Sequence, residues 1–297
     1  MTGRATGRAR PPARSLGGGR QGGAALGRRW DEPGPRRQLD RGEVPYSPDR
    51  PPANGGLPRA ILIDMDDTIF DHSLTCRASL RGLRSHTPTL QRRSLTDVWR
   101  EYLRLLDSVH PTVLAGQISV TRARQERFRR LASFCGESIS ALEAQRLSVR
   151  YRALYRAQRR AVPGARGLLE RLHNRAVIAI VTNSQSDEQE EKLAFLGFRD
   201  LVDHLVVSED VGVSKPDPRI FQIALDRAGT TAEEAVMLGN SWESDILGAR
   251  SAGVRAVWFN RFHEPNPEPG VVAEIDTLED PARVERALAA SPTHPSP

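Results

Sequence analysis

The sequence predicts an α/β protein: a doubly wound parallel sheet interrupted after its first strand by an inserted helical bundle. Three observations carry this expectation. From Pro163 onward, short apolar runs alternate strictly with helical segments. Between about His72 and Val162 there is helical spacing but no strand-like run. And one apolar run after another stops in polar residues, as strands do at the carboxyl edge of an open α/β sheet, where ligands bind.

Taken in order, the chain begins with a tail, residues 1–56, holding 11 of the 41 Arg, 12 of the 24 Gly and 8 of the 21 Pro. With so little aliphatic content the tail cannot offset its own ordering entropy and is expected to be disordered. It also carries the whole formal charge of +6, since basic and acidic residues balance from Leu57 onward. An Arg/Gly-rich tail can meet nucleic acid through phosphate charge, but Trp30 and Tyr46 stand alone, so nucleic acid is not expected as a partner.

Leu57 to Asp71 and residues 163–290 are expected to form the α/β core. Ile61-Leu-Ile63 reads as a short buried strand that ends in Asp64, Asp66 and Asp67. A buried strand cannot run on through three acids, so they sit at its carboxyl end. A helix N-terminus, with Asp66 or Asp67 as cap ahead of Ile69 and Phe70, also accounts for the run taken alone. While the chain stays extended, Asp64 and Asp66 point the same way, and two converging carboxylates suit a divalent cation and covalent plus acid/base chemistry.

Residues 72–162 are the helical insert. Val98, Tyr102, Leu105, Leu106 and Val109 make one stripe, Phe128, Leu131 and Phe134 a second, and Leu147, Tyr151, Leu154 and Tyr155 a third. Ser94-x-x-Asp97 and Ser140-x-x-Glu143 open helices; Pro88, Pro111 with Gly116, and Gly136 separate them, giving about four. Arg122, Arg124, Arg127 and Arg129 read as a solvated helix face. A substrate carboxylate or phosphate is the other use for such a row. His72 is either a hinge of the insert or a substrate contact.

The core resumes with a helix from Ala165 and a strand Val177–Thr182. Ser186-x-x-Gln189 opens the next helix, which stops at Gly197. Strands at Leu205–Val207, Ala235–Leu238 and Val254–Phe259 follow, with helices ending at Gly229 and Gly253. Residues 291–297 are Pro-rich and expected to fray.

Strand ends in a parallel sheet share one edge, so Asp64, Asp66, Thr182, Asn183, Lys215 and the stretch Asn240–Asp245 converge. That inventory suits a phosphoryl group beside Mg²⁺. The only lysines are Lys192 and Lys215. In so Arg-rich a chain, Lys215 implies that a point charge is wanted there rather than a fork. No apolar run approaches the ~18 residues of a bilayer-spanning helix, so no membrane partner is expected. Two cysteines, Cys76 and Cys135, make no disulfide framework, and with no signal-peptide pattern the expected home is a reducing cytoplasm.

The chain resembles the haloacid dehalogenase-like (HAD) hydrolases over about Leu57 to Phe259. Asp64-Met-Asp66-Asp-Thr68 is similar to the family's first motif, and Thr182 closing Val-Ile-Ala-Ile-Val to its second. Lys215 in Ser-Lys-Pro-Asp resembles the third, and Gly239-Asn-Ser-x-x-x-Asp245 the fourth. The resemblance implies a Rossmann-like core, a C1-type cap formed by the insert, and a phosphatase acting on a small phosphorylated metabolite. It implies Asp64 as the nucleophile forming an aspartyl-phosphate and Asp66 as the general acid and base. Thr182 and Asn183 would grip phosphate, Lys215 would offset charge, and Asp64, Asp66, Asn240 and Asp245 would hold Mg²⁺. The family's usual fourth motif has an acid where this chain has Asn240. A dehalogenase is disfavoured because that chemistry resembles the first motif without its second Asp. The alternative from another class is a weakly active module that binds a partner or nucleic acid through the basic tail.

Overall fold

The computed structural model describes residues 56–114 and 116–289. The expectations for the tail before Gly56 and for residues 291–297 lie outside them. Six strands, β1 (Ala60–Ile63), β2 (Val177–Thr182), β3 (His204–Val207), β4 (Ala235–Gly239), β5 (Arg255–Phe259) and β6 (Ala273–Ile275), form one sheet. Their order is β3-β2-β1-β4-β5-β6, and every pairing is parallel. The chain lays strands outward on one side of β1, then returns and lays them outward on the other. That reversal between β1 and β4 is where such sheets open a crevice for ligands.

Both faces of the sheet are covered, which is why its strands read as unbroken apolar runs. On one face Ile61, Ile63, Ile178, Ile180, Val236 and Leu238 pack into one core cluster with Leu168, Leu172, Leu193 and Val284. On the other, Leu62, Ala179, Val181 and Met237 meet Ile220, Phe221, Ala224 and Leu225. Successive residues of β1 alternate between the two clusters, as the two-residue strand period requires.

The helices are α1 (His72–Arg84), α2 (Pro88–Gln91), α3 (Leu95–Leu114), α4 (Val120–Phe134), α5 (Ala141–Gln158), α6 (Ala165–Leu172), α7 (Ser186–Leu196), α8 (Ser208–Val211), α9 (Pro218–Ala228), α10 (Gly248–Ser251) and α11 (Pro281–Ala289). A π-helical stretch, Trp242–Leu247, precedes α10. Helices α1 to α5 form the insert around Cys76, Leu80, Tyr102, Phe128, Leu131 and Tyr151. Ser140 and Glu143 make the expected reciprocal capping box at the start of α5. Both cysteines are buried and free.

Pro111 does not end a helix. Helix α3 runs through it to Leu114, because a proline close to a helix end deprives only one turn of its hydrogen bond. The chain enters and leaves the insert side by side: Val162 N–H donates to Ile69 O at 3.0 Å and Asp71 N–H to Arg160 O at 3.0 Å. Gly164, at φ +84°, packs where a Cβ would fall on the backbone of Leu278, so no other residue fits there. Among the described residues no helix is long and apolar enough to cross a membrane.

Candidate active site

β1 lies between β2 and β4, with Ile63 level with Ile180 and Leu238. Asp64, the next residue, therefore emerges between the ends of the two neighbouring strands. The chain then turns tightly: Ile69 and Phe70 N–H both donate to Met65 O, at 3.1 and 2.9 Å. Asp67 takes φ +63° in this turn, a conformation Asp tolerates better than most residues. Its carboxylate accepts from Ser73 N–H at 2.8 Å and Ser73 Oγ at 2.7 Å, which ties the turn to the start of α1. The helix itself is capped by Asp71 rather than Asp66 or Asp67. The third acid of the run is thus a fastener of the turn.

Lys215 Nζ donates to Asp64 Oδ1 at 2.6 Å, to Asp245 Oδ1 at 2.6 Å and to Val181 O at 2.7 Å. All three of its N–H bonds are spent, and Lys215 and Asp245 are almost wholly buried. Burial works to lower the Lys215 ammonium, but the two carboxylates raise it, so it stays charged. Burial pushes the Asp64 carboxyl up to about 7, against the pull of Lys215. Thr68 Oγ1 donates to Asp64 Oδ2 at 3.2 Å and lies 3.3 Å from Asn240 Oδ1.

Asp66 has a different partner set. Lys192 Nζ donates to both its oxygens, at 2.6 and 2.8 Å, and Gln189 Nε2 to Oδ2 at 3.2 Å. His72 Nδ1 stands 3.8 Å from Oδ1. Burial works to raise the Asp66 carboxyl, yet Lys192 and then His72 outweigh it and hold it at about 2. Gln189 Nε2 also reaches Thr182 Oγ1 at 3.2 Å, linking Asp66 to the end of β2. Asn183 turns its side chain away from the edge: it exchanges two 2.8 Å hydrogen bonds with the Lys215 main chain. Only the Asn183 backbone is left to face a ligand.

Sequence reading missed Gln189 and Lys192. Ser186-x-x-Gln189 has the form of a capping box, but α7 starts without a side-chain cap, and Gln189 points into the site instead. Lys192 carried the same signal as Lys215, scarcity in an Arg-rich chain, and is equally buried.

The donor set fits a small, hard, oxygen-seeking cation. Asp64 Oδ2 and Asn240 Oδ1 both approach Thr68 Oγ1, so carboxylate and amide oxygens converge beside the strand end. Asp245 stands behind them: one oxygen is on Lys215 and the other accepts from Ser241 N–H at 2.9 Å. Among the described residues no three His, Cys, Asp or Glu side chains group as a metal site. Gly239 is required here, since a Cβ on it would fall on the Asp245 carboxylate. The loop is fixed from below by Trp258 Nε1, which donates to Asn240 O at 2.9 Å.

The row of arginines on α4 is not uniformly solvated. Arg122 is exposed, and Arg129 pairs with Glu126 on the surface. Arg124 and Arg127 turn inward. Arg124 meets Glu188 of α7 at 3.1 Å, and Arg127 is 7% exposed. An i, i+3 pair shares one helix face, and that face is the inner one.

The haloacid dehalogenase-like hydrolase family model matches residues 58–253. The chain is 44% identical over 108 residues to pyrimidine 5′-nucleotidase YjjG of Escherichia coli, covering 36% of this chain and 48% of that one. It is 41% identical over 132 residues to phosphoserine phosphatase of Thermus thermophilus, covering 43% and 53%. The match therefore spans about half the length of these curated relatives. With the putative HAD-hydrolase YfnB of Bacillus subtilis it extends over 226 residues at 30% identity, 75% of this chain and 93% of that one. A crystal structure of YfnB bound to magnesium superposes with a TM-score of 0.62 at 27% identity, covering 77% and 99% of the two chains. The chain belongs to the haloacid dehalogenase-like hydrolase family.

Proposed function

We propose that the protein is a Mg²⁺-dependent phosphatase that hydrolyses a small phosphorylated metabolite by way of an aspartyl-phosphate on Asp64. Sugar phosphates, nucleoside monophosphates and phosphoglycolate-like compounds are the substrate classes. The observation that carries this reading is the separate pairing of two acids two residues apart. Asp64 is buried against one lysine, Lys215, and Asp66 is held by another, Lys192. The nucleotidase and phosphatase named among the relatives support the same chemistry.

Phosphoryl transfer asks mostly for positioning and charge stabilisation. Mg²⁺, held by Asp64, the Asp66 main-chain carbonyl and Asn240 with Asp245 behind, would offset negative charge between Asp64 and the phosphoryl oxygens. Lys215 keeps Asp64 in one orientation, and Thr182 with the Asn183 backbone receives phosphoryl oxygens. Asp64 forms a bond to phosphorus as the ester oxygen leaves, and Asp66 gives that oxygen its proton. In the second half Asp66 takes a proton from water, whose oxygen displaces Asp64 and releases inorganic phosphate. With Lys192 on both oxygens Asp66 is ionised, the form needed for the second half. For the first half it must gain a proton, which an approaching phosphate favours by opposing the pull of Lys192. Two buried free thiols accord with action in a reducing cytoplasm.

The test is turnover of p-nitrophenyl phosphate with Mg²⁺. Asp64→Asn abolishes it, and Asp66→Asn slows the whole cycle by about 10²–10⁴-fold, the range for loss of a general acid and base. Wild-type turnover in Asp64→Asn sinks the reading.

A further inference from the structure

The inner face of the insert holds a buried cation that no acid among the described residues answers. Arg124 Nη2 and Arg152 Nη1 share one oxygen of Glu188, at 3.1 and 2.7 Å. Arg127 lies one turn along α4 from Arg124 and is 7% exposed. Its Nη1 donates to Tyr102 OH at 2.9 Å, and its guanidinium carbon stands 5.1 Å from the centroid of the Tyr102 ring. Among the described residues no carboxylate pairs with Arg127, and its Nε is buried without a hydrogen-bond partner. Tyr151 is next to it, with its ring 5.3 Å from those of Tyr102 and Phe128. The Tyr151 hydroxyl is buried too, against the Tyr102 hydroxyl and the Cys76 thiol.

A chain of side-chain contacts links this aromatic cage to the candidate active site. Tyr151 packs against Tyr155 at 6.2 Å, Tyr155 OH bonds His72 Nδ1 at 2.9 Å, and His72 stands 3.8 Å from Asp66. From the other side, Glu188 immediately precedes Gln189, which touches both Asp66 and Thr182. A buried guanidinium with spare N–H bonds is costly unless something anionic completes it. One contact to a phenol and its ring does not neutralise a charge. A guanidinium fork is also the group best shaped to take two oxygens of a carboxylate or phosphate at once.

We infer that Arg127, with Arg124 one turn away on the same helix face, receives a second anionic group of the substrate, a carboxylate or a phosphate, carried on a short chain from the phosphoryl group that Asp64 attacks. The inference rests on the phosphatase reading above and narrows its substrate class to phosphomonoesters with a second negative charge. A substrate lacking that charge leaves Arg127 as it is in this structure and gains nothing from it.

Three three-carbon probes test this on the full chain with Mg²⁺: propane-1,3-diol monophosphate, 3-phosphooxypropanoate and propane-1,3-diol bisphosphate. Their ester oxygens are similar, so differences in kcat/KM report the far end. The expected result is a preference of about tenfold or more for at least one charged probe, carried mainly in KM, as for a site built to bond a polar group. The two charged probes separate carboxylate from phosphate. In Arg127→Met the ratio of charged to uncharged kcat/KM falls to within about twofold, and Arg127→Lys, which keeps the charge but loses the fork, falls between. A wild-type enzyme indifferent to the second charge overturns the inference, whether or not the variants fold. So does a preference that survives in Arg127→Met, or a loss shared equally by all three probes. Failure to hydrolyse any of the three, with p-nitrophenyl phosphate also untouched, overturns the phosphatase reading as well. Turnover of p-nitrophenyl phosphate with no preference among the probes overturns the inference alone.

Discussion

Asn240 presents a neutral amide oxygen beside Asp64, at the position where the family's usual motif places an acid. A cation seated there meets one full negative charge fewer, though the geometry of an amide oxygen is adequate. Asp245 does not make up the difference directly, because Lys215 and the Ser241 N–H occupy its two oxygens. Asn240→Asp is therefore expected to lower the Mg²⁺ concentration for half-maximal activity several-fold, while slower phosphate release can hold kcat level. A Mg²⁺ titration of activity checks this, and an unmoved midpoint means that residue 240 is not at the cation. At this scale the sequence showed the acids and the strand ends plainly, since a buried strand cannot run on through ionised carboxylates. Gln189 was hidden because its spacing from Ser186 imitates a helix cap. The inward turn of Arg124 and Arg127 was missed because the arginines were read as a row by themselves, although Arg124, Arg127, Phe128 and Leu131 fall at i, i+3, i+4 and i+7 on the apolar face.

Helix α11 and strand β6 were not legible, for a physical reason. β6 is three residues, Ala-Glu-Ile, with only Ile275 buried, too short and polar to show a period. α11 is held by charge as much as by Val284 and Leu288. Glu285 accepts from Arg171 and Arg175, at the end of α6 and just beyond it, and Arg255 of β5 donates to Ala287 O at 3.2 Å and to Leu288 O. Hydrogen bonds from both arginines hold the Glu285 carboxyl at about 2, below the 4.5 of a free glutamate. A carboxyl lowered on folding stabilises above its unfolded value, and the benefit is lost as pH falls through the folded one. Glu285→Gln is accordingly expected to lower stability by about 1 kcal/mol at pH 7, a modest figure for a pair near the surface. The deficit should shrink below pH 4.5 and be nearly gone by pH 2. Urea melts of both proteins across that window measure it, and a pH-independent deficit contradicts the ion-pair account.

For the molecule as a whole, the β/α alternation was readable because strands buried on both faces stay apolar throughout and helices end in glycine. The insert was readable from three apolar stripes at helical spacing, all of which contribute to its core. What composition and spacing do not encode is how the insert and the sheet edge face one another. That junction carries Lys192, Gln189, His72 and Arg124, and it joins the acid Asp66 to the aromatic cage around Arg127. The central claim is that one carboxylate, Asp64, takes the phosphoryl group. The most direct measurement is acid quench of the enzyme during turnover of p-nitrophenyl phosphate with Mg²⁺, followed by mass spectrometry of its peptides. The account predicts an acid-stable, base-labile phosphoryl group on Asp64, absent in Asp64→Asn and accumulating in Asp66→Asn, where acyl-phosphate hydrolysis has lost its base. Full turnover with no phosphoryl group on the peptide that contains Asp64, or with one on another residue, contradicts it.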